Sequence, residues 1–257
     1  MGLPYRIVQI SDLHLLKLRY EVNMGIPPAL TFQQILREIK RLEPAPKAIV
    51  LSGDISDAFS ADSYYLVDRM MIPMELPYYW IPGNHDDVTS MTQLARQLSV
   101  EDVKSFQLGN RNVVLLNSVV PDEMHGRLSS ESLQHLRDSL QEHQEMPSFV
   151  FLHHQPIDVN HIVDPIKLQN SEALFQILEA HPQVQGVFFG HMHIVVERVH
   201  AGVKYLSCPP SIFPFREVDS RSKYMMPGFR VIDWGENGDW ESTVHHLDVE
   251  PMLQKLN

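Results

Sequence analysis

The sequence contains one cysteine, Cys208, so an intramolecular disulfide cannot form and a reducing cytoplasm is the natural compartment. Long apolar runs are also missing. Stretches such as Ala48–Leu51 and Val113–Leu116 are strand-sized, far from the roughly 18 residues that cross a bilayer. The start of the chain has no charged segment followed by an apolar one, which argues against a signal peptide. Arg6 stands where a myristoylation pattern needs Ser or Thr. Positive charge is scarce: 21 Lys and Arg against 32 Asp and Glu give a net charge of −11. That balance argues against sequence-independent nucleic-acid binding, which needs clustered cations. It would also repel anionic substrates unless bound metal ions supplied local positive charge. Repeats, low-complexity tracts, Cys-rich metal motifs, P-loops and G-x-S-x-G elbows are all absent. Histidine, in contrast, is abundant, with 14 residues.

The 257 residues suit a single domain spanning 1–257. Apolar spacing and turn residues predict an alternation of strands and helices. Strands are expected at Arg6–Ile10, Ala48–Leu51, Tyr78–Ile81, Val113–Leu116, Phe149–Leu152 and Val187–Phe189. Helices are expected at Leu30–Leu42, Ala61–Met71, Ser90–Leu98, Ser130–Leu140 and Ser171–Ala180. The C-terminal part turns strand-rich, at Val195–Val199, Val203–Ser207, Phe229–Asp233 and Thr243–Leu247, with a turn at Glu236-Asn237-Gly238. This order predicts an α/β domain of two mixed sheets packed together and flanked by helices. The Met- and Pro-rich stretch Met70–Pro77 and the segment Pro209–Met226 read as core and loop rather than as a dimer surface.

Five polar motifs each follow an apolar strand: Ser11-Asp12-Leu13-His14, Ser52-Gly53-Asp54, Pro82-Gly83-Asn84-His85-Asp86, His153-His154-Gln155-Pro156 and Gly190-His191-Met192-His193. Loops beyond the carboxyl ends of strands are where sites assemble in α/β proteins, so residues distant in sequence can converge there. Carboxylate, amide and imidazole donors together suit first-row metals such as Mn, Fe and Zn. The i, i+2 spacing of Asp12 with His14, and of His191 with His193, would point each pair one way from an extended backbone. Asp54 has two oxygens with which to bridge metals, and Asn84 offers a neutral carbonyl. Two ions about 3.5–4 Å apart can clamp a phosphate and generate a nucleophile. Glycines 53, 83 and 190 allow tight turns before the ligands. Any one of these motifs alone is more often an ordinary loop; their common placement carries the argument.

The order D-x-H, G-D, G-N-H-D, H-H, G-H-x-H resembles the calcineurin-like metallophosphoesterase superfamily. Its class III cyclic nucleotide phosphodiesterases, the bacterial 3′,5′-cyclic-AMP enzymes above all, are more similar still. That resemblance also rests on His125-Gly126-Arg127-Leu128-Ser129, Leu168-Gln169-Asn170, Pro209-Pro210-Ser211 and Pro227-Gly228-Phe229-Arg230, and covers nearly the whole chain. It implies a four-layer α/β/β/α sandwich and two metals, iron or manganese foremost and zinc as an alternative. Asp12, His14 and His193 would hold the first metal, Asn84, His153 and His191 the second, and Asp54 would bridge them. His85 would act on the substrate, with His14, Asn84, His154, Asn170 and His193 lining its site. Asp86 or Asp57 would orient a ligand or His85. One departure is visible: Gln155 separates the histidine pair from Pro156. The implied activity is hydrolysis of cyclic AMP to AMP by a metal-activated hydroxide. Glycerophosphodiesters, other nucleotides and an inactive metal-binding scaffold are the alternatives. The expected partner is a small phosphodiester, with neither nucleic acid nor membrane, and the resemblance allows a homodimer. His125, His161 and His200 read as surface or local structural residues, while His245 and His246 should face opposite ways.

Overall fold

The computed structural model describes residues 5–23, 27–212 and 226–248. The first sheet has the order β11-β10-β1-β2-β3. Its strands are β1 (Tyr5–Ile10), β2 (Ala48–Ser52), β3 (Tyr78–Ile81), β10 (Gly228–Trp234) and β11 (Trp240–His246). The second sheet has the order β4-β5-β6-β7-β9-β8. It comprises β4 (Ser105–Leu108), β5 (Arg111–Leu115), β6 (Ser148–Phe151), β7 (Val184–Phe189), β8 (Glu197–His200) and β9 (Val203–Ser207). β1, β2 and β3 run parallel, as do β5, β6, β7 and β9, while β10, β11, β4 and β8 pair antiparallel. Both sheets are therefore mixed.

Three apolar interfaces hold four layers together. Ile7, Val50, Phe149, Phe151, Phe188, Ile232 and Trp234 fill the space between the sheets. The outer face of the first sheet packs on α1 (Pro28–Ile39), α2 (Ala61–Met71) and α3 (Val88–Ala95) through Val8, Phe32, Ile35, Val67 and Met91. The outer face of the second packs on α4 (Ser130–Glu142) and α5 (Ser171–Glu179) through Val150, Leu136, Leu140, Leu174 and Val187. Alternating side chains of one strand thus serve two interfaces, as Ile7 and Val8 do. The result is the expected α/β/β/α sandwich.

The order of elements follows the sequence reading, with several bounds moved by one to three residues, and three differences have a clear physical cause or consequence. β4 escapes it, because its alternation is short and only half-buried. α3 starts earlier than Ser90: Asp87 is its N-cap, accepting from Thr89 N at 3.0 Å and Ser90 N at 3.3 Å. α1 starts on Pro28 and stops at Ile39, short of Leu42. Met71 and Met74 of the Met70–Pro77 stretch are buried in the core. Most of Pro209–Met226 lies outside the described residues. Among the described residues no helix is long and apolar enough to cross a membrane.

Candidate metal centre

The loops after β1 and β2 zip together through backbone hydrogen bonds. Asp12 N donates to Gly53 O at 3.0 Å, His14 N to Asp54 O at 2.8 Å and Leu15 N to Ile55 O at 2.9 Å. At the second sheet's edge, Gly190 N donates to His153 O at 3.0 Å, and across the sandwich His191 N reaches the Asp12 carboxylate at 3.0 Å. A Cβ on Gly83 would collide with Asp54, and one on Gly190 with Ser11. Glycine at these two positions is what lets the loops approach so closely.

The i, i+2 pairs do not converge by the route expected. Asp12, His14, His191 and His193 have φ of 54, 43, 68 and 54°, and Asp54 has φ 51°. None of the five is extended. The left-handed region is uncommon for non-glycine residues, though Asp and His enter it more readily than most. Strain of this kind gathers at functional sites, and half of the ten described non-glycine residues with positive φ are candidate ligands.

The side chains meet in three groups, one of which, His14 with Asp57 and His85, sits at the edge of the other two. Asp12, His14, Asp54 and His193 have ligand atoms within 4.8 Å of one another, and so do Asp54, His153 and His191. Asp54 belongs to both. Its Oδ2 lies 3.6 Å from His14 Nε2 and 3.3 Å from His153 Nε2. Its Oδ1 is taken by the backbone N–H of His85 at 2.9 Å. Oδ2 is thus within 3.6 Å of an imidazole from each group. His14 Nε2 and His193 Nε2 are 3.3 Å apart, and His193 Nε2 is 3.4 Å from Asp12 Oδ1.

Neighbouring groups set which imidazole nitrogen points inward. His14 Nδ1 is 3.0 Å from Asp57 Oδ1, and His153 Nδ1 donates to Ser52 O at 2.9 Å. Both arrangements turn Nε2 toward Asp54, as a ligating imidazole requires. Asn84 Oδ1, His153 Nε2 and His191 Nε2 are buried without a hydrogen-bond partner. Buried polar atoms normally have one, so three such atoms beside a carboxylate fit a cation. The donor set is that of a first-row metal site.

Charge reinforces this fit. Burial opposes the charge of Asp12 and Asp54, yet the imidazoles around them hold both carboxyls below the usual range. Burial also disfavours a charged His153, but the attraction of Asp54 and Asp12 raises it to about 9. His191 is pushed down to about 3 by burial and by His153, which keeps it a neutral donor. Without metal, protons supply part of the positive charge the carboxylates demand.

The remaining sequence candidates fall around these groups. His85 Nδ1 is 3.1 Å from Asp57 O, and its ring centroid is 4.8 Å from that of His14. Asp86 fixes the loops: its carboxylate accepts from Gly83 N, Ile55 N and Ser56 N at 2.9–3.1 Å and from the Tyr64 hydroxyl at 3.2 Å. Burial and nearby Asp54 raise its carboxyl to about 6 against those hydrogen bonds. His154 is buried, with Nδ1 2.8 Å from Ser118 Oγ and its ring centroid 4.7 Å from that of His191. Asn170 spends both amide atoms on Leu128, accepting from its N–H and donating to its carbonyl at 2.9 Å each. Gln155 is buried, and its side chain donates to Val163 O at 3.1 Å. It ties down the loop that follows and leaves His153 in place. His125 pairs with Glu123, His161 is exposed and His200 packs on Phe175. His245 stacks on Phe229 while His246 approaches Met226 O. The sequence reading missed Ser118 and Met124, which lie on a loop without a polar motif. Met124 Sδ is 3.6 Å from Asn84 Nδ2.

Three kinds of similarity bear on this centre. The family model of the calcineurin-like phosphoesterases matches residues 5–195. A 3′,5′-cyclic-nucleotide phosphodiesterase of Nostoc sp. (strain PCC 7120) is 33% identical over 98% of this chain and 97% of its own length. The 3′,5′-cyclic adenosine monophosphate phosphodiesterase CpdA of Pseudomonas aeruginosa is 30% identical over 94% of this chain and 90% of its own. A dimetal phosphatase from Danio rerio shares the fold, with a TM-score of 0.67 and 16% identity over 95% of this chain and 99% of that one. The model match takes in all five motifs and both ligand groups, and the chain belongs to the calcineurin-like phosphoesterase family.

Proposed function

We propose that the protein hydrolyses 3′,5′-cyclic nucleotides and opens cyclic AMP to AMP. The observation that carries this reading is a pair of ligand groups sharing Asp54, in a chain 33% identical to a cyclic-nucleotide phosphodiesterase over 97% of that enzyme. Asp12, His14 and His193 would hold one metal, Asn84, His153 and His191 the other, and Asp54, which belongs to both groups, would be shared between them. Iron or manganese suits these donors, with zinc as the alternative. When bound, the metals supply Lewis acidity toward the phosphoryl oxygens and lower the pKa of the attacking water.

The protein's own groups do the rest. The Asp57 carbonyl can only accept, so His85 Nδ1 carries a proton and Nε2 is the atom that exchanges one. A water oxygen attacks phosphorus, the P–O3′ bond breaks, and His85 Nε2 gives its proton to the departing oxygen. The proton released by the water restores the imidazolium through solvent. His14, Asn84 and His193 border the phosphate, and His154 adds an imidazole that burial keeps neutral. Asn170 acts indirectly, by clamping Leu128. The reading places the chain in the cytoplasm, supported by a lone buried cysteine.

A hydrolysis panel on metal-loaded protein tests the proposal. It compares 3′,5′-cyclic AMP, 3′,5′-cyclic GMP, 2′,3′-cyclic AMP, a glycerophosphodiester and a phosphomonoester. The highest kcat/KM should fall on a 3′,5′-cyclic nucleotide and vanish with a chelator. A preference for the glycerophosphodiester or the monoester would sink it.

A further inference from the structure

Between β5 and α4 the chain leaves the sandwich and returns against the metal centre. The excursion is closed at its base by an antiparallel bridge between Val119 and Gly126. Arg127 N also donates to Ser118 O at 2.8 Å. Gly126 is fixed on its other side by a parallel bridge to Leu168, donating to Lys167 O at 3.2 Å and accepting from Gln169 N at 2.8 Å. A Cβ at Gly126 would strike the His154 ring, so the returning arm lies flat on that histidine. The tip turns with Glu123 N on Val120 O at 3.2 Å and Asp122 at φ 62°.

This hairpin delivers one side chain to the centre. Met124 Sδ sits 3.6 Å from Asn84 Nδ2, on the amide whose Oδ1 is the buried unpartnered atom. Even so, Met124 remains 49% exposed and belongs to none of the three apolar clusters. Among the exposed large apolar residues described, Met124 is set apart by its contact with a candidate ligand. Its inner side meets the amide of a candidate ligand, and about half of the residue stays open to solvent beside the candidate metal centre.

Resting on the cyclic-nucleotide reading above, we propose that Met124 is a substrate contact whose thioether packs on the nucleoside portion of the substrate. The phosphate is met by metals and imidazoles; the base and ribose offer flat, weakly polar faces. A flexible, polarisable thioether suits an aromatic heterocycle better than a branched aliphatic residue would. Met124 thus favours diesters with a large apolar substituent over small ones.

The test uses the full metal-loaded chain with Met124→Ala, Met124→Gln and Met124→Leu. KM is measured for the diester that the wild type cleaves best. Inhibition by orthovanadate, which mimics phosphate and has no organic group, is measured alongside metal content. KM should rise about tenfold for Ala and Gln, the scale of a lost apolar contact. Leu should stay within about threefold of wild type, and kcat, vanadate inhibition and metal content should hold in all three variants. Two results overturn the proposal: an unchanged KM in Met124→Ala, or vanadate affinity and metal content falling with KM, which would make Met124 only a brace for Asn84. If the wild type ignores cyclic AMP and prefers another diester, the cyclic-nucleotide reading fails by itself. The same KM comparison on that diester then decides Met124 separately.

Discussion

The two halves of the metal centre are built differently. In the first, Asp12 and His14 come from the first sheet and His193 from the second. These groups face one another across the sandwich, Asp57 braces His14, and the His193 side chain is 15% exposed. In the second half, His153, His191 and Asn84 are buried, and each has a polar atom with no hydrogen-bond partner. An empty first half can satisfy part of its polarity internally. In the second half only His153 has such an internal neighbour, Asp54 Oδ2 at 3.3 Å, while Asn84 Oδ1 and His191 Nε2 are left unsatisfied, and each unsatisfied buried group costs about 1–3 kcal/mol. On the proposed ligand assignment, a metal at the second half would therefore contribute more to stability, and one at the first would be the more accessible to exchange.

Two substitutions probe that contrast. The larger effect is expected from His85→Ala, because His85 is assigned to the substrate and to neither half. Its kcat should fall by about 10²–10⁴-fold while both metals stay bound. Loss of metal in step with activity would make His85 a ligand. A smaller, one-sided effect is expected from Asp57→Asn, which replaces the carboxylate that braces His14. Metal titration should show the first site weakened by about 10–100-fold and the second unchanged. Equal weakening of both sites would erase the distinction between them.

Much of this centre was legible in the sequence because each ligand motif directly follows a strand, and parallel strands in each sheet carry their ends to one edge. The local geometry was less legible. Asp12-Leu13-His14 reads as an extended segment, yet both polar residues adopt positive φ. The cause is tertiary: their N–H groups are drawn onto the carbonyls of Gly53 and Asp54, 41 and 40 residues along the chain. Asp54 looked like a bridge through two oxygens, and the backbone N–H of His85 claims one of them. Asp86 read as a positioning residue, but its three backbone partners could not be foreseen, because two of them lie on another strand's loop. β4 has too few alternating positions to stand out from its surroundings. Met124 carries no polar signature, and only the closed hairpin from Ser118 to Arg127 explains where it sits.

In the proposed mechanism one carboxylate, Asp54, joins two metals into a single hydrolytic centre. The most direct test measures bound metal by elemental analysis in wild type and Asp54→Ala, with circular dichroism to verify folding and phosphodiesterase activity alongside. The wild type should hold two ions per chain, and the folded variant should lose both together with its activity. A folded Asp54→Ala protein that retains two ions, or that turns over substrate at the wild-type rate, would rule out a centre joined by Asp54.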